Sequence, residues 1–186
     1  MKMSDLYEDD DERQRRERER QHRDEWKNKS SKEKDQEDVH GDALGETGFW
    51  GRAGAGVLFQ ALDTGRILIS HRSERVEEPD TWGTWGGAID ENENPMLAAM
   101  REASEETGVA PDQKDIIPMY VFSHSSGFRY FNFLVITSKE FNPKLNWESQ
   151  GFGWFDFGEW PKPLHPGMVS LLNDQKSLSI MRMNAR

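Results

Sequence analysis

The fold of this chain is decided by the stretch from Gly87 to Val109, GAIDENENPMLAAMREASEETGV. Asn94 followed by Pro95 predicts the start of a helix, because asparagine can accept a hydrogen bond from the first turn and proline suits the first helical position. Gly108 predicts the end of that helix, since glycine readily takes the left-handed conformation that closes one. The stretch is therefore interpreted as a loop followed by a helix.

This helix is expected to carry an apolar side and an acidic side. The apolar side is expected from good helix formers, namely Met96, Leu97, Ala98, Ala99, Met100 and Ala103. Glu102, Glu105 and Glu106 are spaced i, i+3 and i+4, so at about 100° per residue they project from one arc. Like charges at these spacings destabilise a helix. Arg101 can pair with one carboxylate but cannot neutralise three, which favours a hard divalent cation such as Mg²⁺.

Nine residues of the stretch follow the pattern G-x5-E-x7-R-E-A-x-E-E-x-G-V. They are Gly87, Glu93, Arg101, Glu102, Ala103, Glu105, Glu106, Gly108 and Val109. The pattern resembles the Nudix box, the signature of metal-dependent pyrophosphohydrolases that act on a nucleoside diphosphate linked to another group. The resemblance implies an α/β fold, an α/β/α sandwich around a mixed β-sheet. It also implies cleavage of a phosphoanhydride bond with Mg²⁺ or Mn²⁺ as the cofactor.

The same resemblance implies roles for the acidic residues. Glu105 and Glu106 would be metal ligands, and Glu102 would be a further ligand or the base that takes a proton from water. Arg101 would orient Glu102, so both belong to the catalytic candidates together with Glu105. In this family the base can also lie on a later loop, and Glu148 is the candidate there.

The remaining box residues would shape the loop around the metal. Glu93 would hold the turn between loop and helix through Arg101, and Gly87 and Gly108 are structural positions of the motif. Because glycine allows close approach of the backbone, the carbonyl group of Gly86 or Gly87 would also reach the metal. Many relatives have proline before the glycine pair, whereas this chain has Trp85.

Four further residues are candidates for substrate contact: Arg72, Arg52, Trp85 and Tyr130. The two arginines border expected strands and could lie beside the phosphates, although a solvated surface position is the alternative. Trp85 and Tyr130 could stack on a base, whereas aromatic side chains more often pack in a core. The same two interpretations apply to Phe49, Trp50, Trp82 and Phe131. His124, on a loop after the helix, is an alternative acid or base.

The sequence around the box predicts strands on both sides of its helix. A turn signal at Asp63-Thr64-Gly65 between two apolar stretches predicts a β-hairpin. Strands are predicted at residues 53–62, 66–71, within 81–90, 116–123, 128–137 and 152–155. Prolines after the last strand predict a turn into a second helix at about residues 167–174.

Residues 1–45 differ in composition from the rest of the chain. They are almost entirely charged and polar, with both signs mixed. We expect this segment to be disordered, because it offers few apolar side chains to bury. Binding of RNA or a partner protein by the arginines at 13–23 is the functional alternative. Residues 46–186 are expected to form the Nudix hydrolase domain around one core.

The composition of the whole chain excludes several classes of protein. The 186 residues carry a net charge of −10 and include no cysteine, which excludes disulfides, thiolate zinc sites and cysteine nucleophiles. No apolar run approaches the length of about 18 residues that a membrane span needs, and the N-terminus does not look like a signal peptide. A cytoplasmic protein without membrane contact is expected. The acidity argues against nonspecific binding of nucleic acid.

Three functions stay open at this level. The first is an enzyme acting on nucleotide sugars such as ADP-ribose, on dinucleotides, on nucleoside triphosphates or on the 5′ end of RNA, with a slight lean to the first two. The second is a non-catalytic nucleotide-binding or regulatory module, which loss of a helix glutamate would favour; none is lost. The third is a structural protein with a calcium loop at Asp90 to Glu93, which lacks the spaced ligands of an EF-hand. A homodimer is also left open.

Overall fold

The computed structural model describes residue 20 and residues 31–185, with side chains described from residue 39 onward and at residue 20. The chain divides into two compact units, Met1–Glu37 and Asp38–Arg186. The helices are α1 (Ser31–Thr47), α2 (Pro95–Thr107), α3 (Pro166–Asn173) and α4 (Gln175–Arg182). The strands are β1 (Ala53–Ala61), β2 (Ile67–Arg72), β3 (Trp82–Gly83), β4 (Trp85–Ala88), β5 (Ile116–Ser123), β6 (Arg129–Thr137) and β7 (Ser149–Phe155).

Strand β1 is the centre of a mixed sheet. It pairs in parallel with β6 along its whole length, from Ala53 opposite Arg129 to Ala61 opposite Thr137. Along its other edge it pairs antiparallel with β4 and then with β2. Strand β5 pairs antiparallel with β6, while β3 and β7 pair antiparallel with β2. The predicted mixed sheet and the hairpin of β1 and β2 are confirmed.

Side chains of a strand alternate between the two faces of a sheet, so this sheet has apolar side chains on both faces. Helices cover both of them. On one face, α2 packs its alanines on Val57, Phe59 and Trp85 of the sheet. On the other face, α3 and α4 contribute Met168, Leu171 and Met181, which pack with Leu58, Ile67, Ile69 and Leu134. The α/β/α sandwich expected from the box is confirmed. Within the described residues, none of the helices has the length and apolarity that crossing a membrane requires.

Helix α2 begins and ends where the sequence predicts. The Asn94 side chain accepts a hydrogen bond from the Met96 amide at 2.9 Å, and Gly108 closes the helix with a φ of 71°. The packed side is narrower than predicted, since Leu97 is 46% exposed. Small side chains form the contact with the sheet instead: Ala98, Ala99 and Ala103, all fully buried. They let α2 lie close to the sheet, which places the acidic residues of the helix beside β4.

Two elements near the C-terminus differ from the prediction. Strand β7 begins at Ser149, earlier than the predicted residue 152, because its polar first half pairs with β2 across an irregularity at His71 and Arg72. Helix α4 was not predicted, although Asp174 caps it by accepting hydrogen bonds from the backbone and side chain of Ser177 at 2.8 and 2.7 Å. A cap followed by an amphipathic turn was the available signal.

Residues 31–45 are helical, which differs from the predicted disorder of that segment. In α1, Ala43 and His40 are 1% and 7% exposed, and the His40 carbonyl accepts a hydrogen bond from the Gly51 amide at 3.1 Å. The compact unit that contains the sheet begins at Asp38. The charged composition gave no signal for this contact, because among its described residues only His40 and Ala43 are buried. The arginines at 13–23 lie outside the described residues, apart from Arg20.

Candidate active site

Two glutamates of α2 lie on the glycine pair of β4. A Cβ atom on Gly87 would lie 2.8 Å from Cδ of Glu102, so the missing side chain makes room for this carboxyl group. One turn further along, Glu106 accepts a hydrogen bond from the Gly86 amide. The two glutamates are 8% and 3% exposed. The two buried carboxyl groups therefore pack directly on the backbone of strand β4.

Arg101 connects Glu102 and strand β4 to the loop that precedes the helix. Its Nε and Nη2 atoms donate to the two carboxylate oxygens of Glu93, at 3.0 and 2.9 Å. Nη2 also donates to the Ala88 carbonyl at 3.1 Å, and Nη1 donates to Oε1 of Glu102 at 2.7 Å. Burial opposes the guanidinium charge, but the two glutamates outweigh it and raise the pKa of Arg101. The contacts expected of Glu93, Arg101 and Glu102 are present.

The buried carboxyl groups hold their protons more tightly than ordinary glutamates. Burial raises the pKa of Glu102 to about 8, with Arg101 opposing the rise and Glu148 adding to it. The pKa of Glu106 lies well above its usual range, first because of burial and then because Glu148 and Glu102 lie near. Oε1 of Glu106 is buried and has no hydrogen-bond partner among the described residues. A cation at this position would relieve both unfavourable features.

Glu105 does not lie with the other two glutamates. Its side chain is 57% exposed and its nearest carboxylate oxygen is 3.6 Å from Nη1 of Arg101. At about 100° per residue, Glu105 and Glu106 project on opposite sides of Glu102. The packing of α2 turns the side of Glu106 towards the sheet and leaves Glu105 at the exposed edge. The predicted single arc is therefore a buried pair with a third carboxylate at its rim. Across the part of the chain with described side chains, no three acidic or histidine residues are already gathered as metal ligands.

Two residues from distant parts of the chain reach the buried pair. Glu148, on the loop before β7, lies close enough to raise the pKa of both Glu102 and Glu106. Its backbone carbonyl accepts from the Ser73 amide at 2.8 Å, which fixes the loop to the end of β2. Arg72, the last residue of β2, opposes the rise in the pKa of Glu106. Both candidates thus lie near enough to the buried pair to act on its charge, while the Arg72 guanidinium donates to the Glu77 carbonyl through Nε and Nη2.

Two other candidates are not placed for contact with a base or phosphates. Trp85 is fully buried in the core beneath α2, so it cannot stack on a base; the alternative of core packing is correct. Arg52 is largely exposed and pairs with Glu46 at 2.8 Å. His124, the alternative acid or base, contacts Ser126 at 2.9 Å instead. Among the described residues, none of these three side chains forms a hydrogen bond or ion pair with the buried glutamates.

Tyr130 lies beside the site in a different role from the predicted one. Its ring packs against Gly54, where a Cβ atom would lie 2.6 Å from Cδ2, and its hydroxyl group bonds Thr84 at 3.0 Å. Burial, with Glu106 nearby, raises the pKa of this hydroxyl group, while Thr84 opposes the rise. Tyr130 thus packs beside strand β4 and supports the backbone on which the buried glutamates lie.

His165 was missed by the sequence interpretation. Its Nδ1 atom accepts from the Gly167 amide at 3.0 Å and caps α3. The ring lies against Gly83, and burial together with Arg72 lowers its pKa to about 4. The available signal was the dipeptide His165-Pro166, which has the same cap-proline order as the start of α2.

Comparison with known proteins agrees with this architecture. Residues 51–175 match the sequence model of the NUDIX domain. A Mycobacterium tuberculosis protein named "Putative 8-oxo-dGTP diphosphatase 3" is 31% identical over 132 residues, which cover 66% of this chain and 61% of that protein. The chain thus spans about three fifths of the length of the curated relatives it matches first.

Solved structures show the same fold. The Nudix hydrolase RenU from M. smegmatis is 26% identical with a TM-score of 0.56, covering 73% of this chain and 86% of its own. A MutT NUDIX hydrolase from Burkholderia pseudomallei is 26% identical with a TM-score of 0.55, covering 67% and 98%. From the box, the sandwich and the domain match over two thirds of its length, this chain is a member of the Nudix family.

Proposed function

We propose that this protein is a Mg²⁺- or Mn²⁺-dependent pyrophosphohydrolase that cleaves a phosphoanhydride bond in a nucleotide derivative. The observation that carries the proposal is the buried pair of Glu102 and Glu106 on the glycines of β4. A protein gains no stability by burying two carboxyl groups side by side, since each resists ionisation there. A site for a cation explains why both are present.

The donor atoms fit a hard divalent cation. Oε1 of Glu106 is a buried oxygen without a partner, and Gly87 leaves the space beside Glu102 free of a side chain. Carboxylate oxygens are what Mg²⁺ and Mn²⁺ prefer, and Mg²⁺ needs only one or two of them besides water and phosphate oxygens. Glu102 and Glu106 would hold the ion, with Glu105 joining from the rim. Bound there, the ion would supply positive charge to phosphate oxygens and lower the pKa of a water molecule.

The neighbouring residues would carry out the remaining steps. Arg101 keeps Glu102 in place by bonding one of its two oxygens. Glu148 would accept the proton of the attacking water, whose oxygen forms the new bond to phosphorus while the phosphoanhydride P–O bond breaks. The leaving phosphate departs with the electron pair of that bond. Arg72 would bind phosphate oxygens, since its cationic group lies near Glu106.

Nucleoside triphosphates, including oxidised ones, are the substrates that we propose to test first. The support is the Mycobacterium tuberculosis relative, whose name describes an 8-oxo-dGTP diphosphatase. The lean towards nucleotide sugars or dinucleotides depended on the generic form of the box and on the aromatic residues beside it, and one of these residues, Trp85, is buried. Nucleotide sugars, dinucleotides and capped or triphosphorylated RNA 5′ ends belong in the same panel.

Incubation of the protein with this panel, with Mg²⁺, Mn²⁺ or a chelator, tests the function. Mass analysis of the products is expected to show a nucleoside monophosphate formed only with metal, and ¹⁸O from solvent would identify the attacked phosphorus. Glu106→Gln should abolish the reaction, because it keeps the size of the side chain and removes its charge. Metal-independent turnover, or full turnover by Glu106→Gln, would refute the site. Tight nucleotide binding without turnover would instead favour the non-catalytic module.

A further inference from the structure

Helix α1 contacts the loop that leads into α2. Nε2 of His40 lies 3.1 Å from Oδ1 of Asp90, and the His40 side chain is 8% exposed against 40% for Asp90. The loop between β4 and α2 is otherwise largely open to solvent, since Glu91, Asn92 and Asn94 are exposed. Its backbone takes a left-handed conformation at Asn92, with a φ of 62°. His40 lies outside residues 51–175, so this contact is added to the NUDIX domain by the chain that precedes it.

The position of the His40 ring is set by Gly51. The Gly51 amide donates to the His40 carbonyl at 3.1 Å. A Cβ atom on Gly51 would lie 3.2 Å from Nδ1 of His40 and 3.0 Å from Cβ of Ala88, at a φ of +78° that side chains rarely adopt. Gly51 is therefore packed tightly between His40 and Ala88. The ring centroid of Trp50 lies 6.4 Å from that of His40.

From Asp90 the contacts continue to the buried glutamates. The Asp90 amide donates to Oε2 of Glu93 at 3.1 Å, and the Glu93 amide donates to the Asp90 carbonyl at 3.0 Å. Glu93 accepts from two nitrogen atoms of Arg101, which in turn donates to Glu102. An uninterrupted series of hydrogen bonds thus joins His40 of α1 to a carboxyl group of the site.

We propose that His40 is a positioning residue of the reaction: by holding Asp90, it fixes the loop at residues 89–94 so that Glu93 and Arg101 keep Glu102 in place. The inference rests on the proposed function of Glu102. The inference thus assigns a role to α1. In its absence a water molecule could bond Asp90 instead, but water would not hold the loop in one position.

Substitution of His40 separates this role from simple packing. His40→Leu fills the space but removes the hydrogen bond, and we expect kcat to fall about tenfold with KM changed less than about twofold. His40→Gln places an amide N–H near the position of Nε2, so kcat should return to within about threefold of the wild type. Asp90→Ala should resemble His40→Leu, and the double variant should be no worse than either single variant.

Two measurements test the inference without turnover. Hydrogen–deuterium exchange at residues 89–94 should be faster in His40→Leu than in the wild type and nearly normal in His40→Gln. Binding of Mn²⁺ alone, followed by electron paramagnetic resonance, should weaken about tenfold in His40→Leu. Asp42→Asn, an exposed change on the same helix, serves as the matched control and should alter neither quantity.

The outcomes are distinguishable from those for the proposed function. If the wild type binds Mn²⁺ and hydrolyses nothing in the panel, the enzyme proposal fails while the exchange and binding results still decide the role of His40. Unchanged loop exchange and unchanged Mn²⁺ binding in His40→Leu would overturn the inference. If His40→Leu does not fold, Asp90→Ala decides, because Asp90 is half-exposed and its removal leaves the core intact. Wild-type kcat, exchange and Mn²⁺ binding in Asp90→Ala would then overturn it.

Discussion

The two neighbouring glycines of β4 are surrounded by different atoms, and this difference predicts opposite phenotypes. A Cβ atom on Gly86 would lie 2.2 Å from the backbone carbonyl oxygen of Ala55. The atoms nearest to a Cβ atom on Gly87 would instead be those at the end of the Glu102 side chain, at 2.8 Å. A backbone atom in a sheet cannot move away cheaply, but a side chain can rotate. Gly86 is thus required by the fold and Gly87 by the position of Glu102.

We therefore expect Gly86→Ala to unfold the protein or destabilise it by about 3 kcal/mol or more. Gly87→Ala should cost about 1 kcal/mol in the free energy of unfolding and yet lower kcat by at least about tenfold, since it displaces Glu102. Urea denaturation and steady-state kinetics of the two variants measure both effects. Equal stability of the two variants would contradict the assignment.

Glu106 allows a separate prediction about stability. Its carboxyl group is buried with one unpaired oxygen, so Glu106→Gln should leave the melting temperature of the metal-free protein unchanged or slightly higher. Addition of Mg²⁺ with a non-hydrolysable nucleotide should raise the melting temperature of the wild type but not that of the variant, because ligands stabilise only a state that binds them. A similar rise in both proteins, measured by calorimetry, would show that the ion binds elsewhere.

His165 predicts how stability depends on pH. Burial and Arg72 lower the pKa of its imidazole to about 4, so the folded state disfavours the proton that the unfolded chain binds below about 6.5. Its contribution to stability is present above pH 6.5 and is lost as the pH falls to about 4, by about 2 kcal/mol after allowance for partial exposure. His165→Asn keeps a cap acceptor without the titration, so urea midpoints at pH 7 and pH 4.5 should differ less in this variant. An unaltered difference would contradict the prediction.

At the scale of elements, we expect the effect of an N-terminal truncation on stability to depend on whether it removes the buried part of α1. Removal of residues 1–37 leaves the unit that begins at Asp38 complete, so the free energy of unfolding should stay the same. Removal of residues 1–45 takes away the buried side chains of His40 and Ala43, which should cost about 2 kcal/mol. Thermal unfolding of the two shortened proteins measures the difference. Identical melting temperatures would show that α1 does not stabilise the sheet.

How far an element could be predicted depends on where its stabilising contacts come from. Helix α2 has a local signal at each end, Asn94-Pro95 and Gly108, and both bounds were predicted correctly. The polar start of β7 has no such signal, because only its pairing with β2 makes it a strand. Helix α1 also lacks a local signal, and the buried side chain of His40 bonds Asp90, which lies 50 residues further along the chain.

For the candidate site, the same distinction separates the box from its surroundings. The contacts among Glu93, Arg101 and Glu102 lie within one loop and helix, and the resemblance to the Nudix box implied them. The approach of Arg72 and Glu148 to the box depends on the pairing of β2 with β7, which the spacing of the residues does not determine. The rim position of Glu105 was missed because the spacing i, i+3 and i+4 predicts only that the three side chains share an arc about 100° wide. The packing of α2 on the sheet decides which part of that arc is buried, and Glu105 lies at its exposed edge.

At the scale of the whole molecule, the net charge of −10 predicts the effect of salt on substrate capture. A nucleotide is an anion, so the protein repels it over long distances, and added salt screens this repulsion. We expect kcat/KM to rise about two- to threefold as KCl increases from low ionic strength to the physiological range at constant free Mg²⁺. Because screening acts on the approach of the substrate, kcat at saturation should change little. A fall in kcat/KM over this range would instead indicate that a local positive field, from Arg72 and the bound ion, outweighs the charge of the chain.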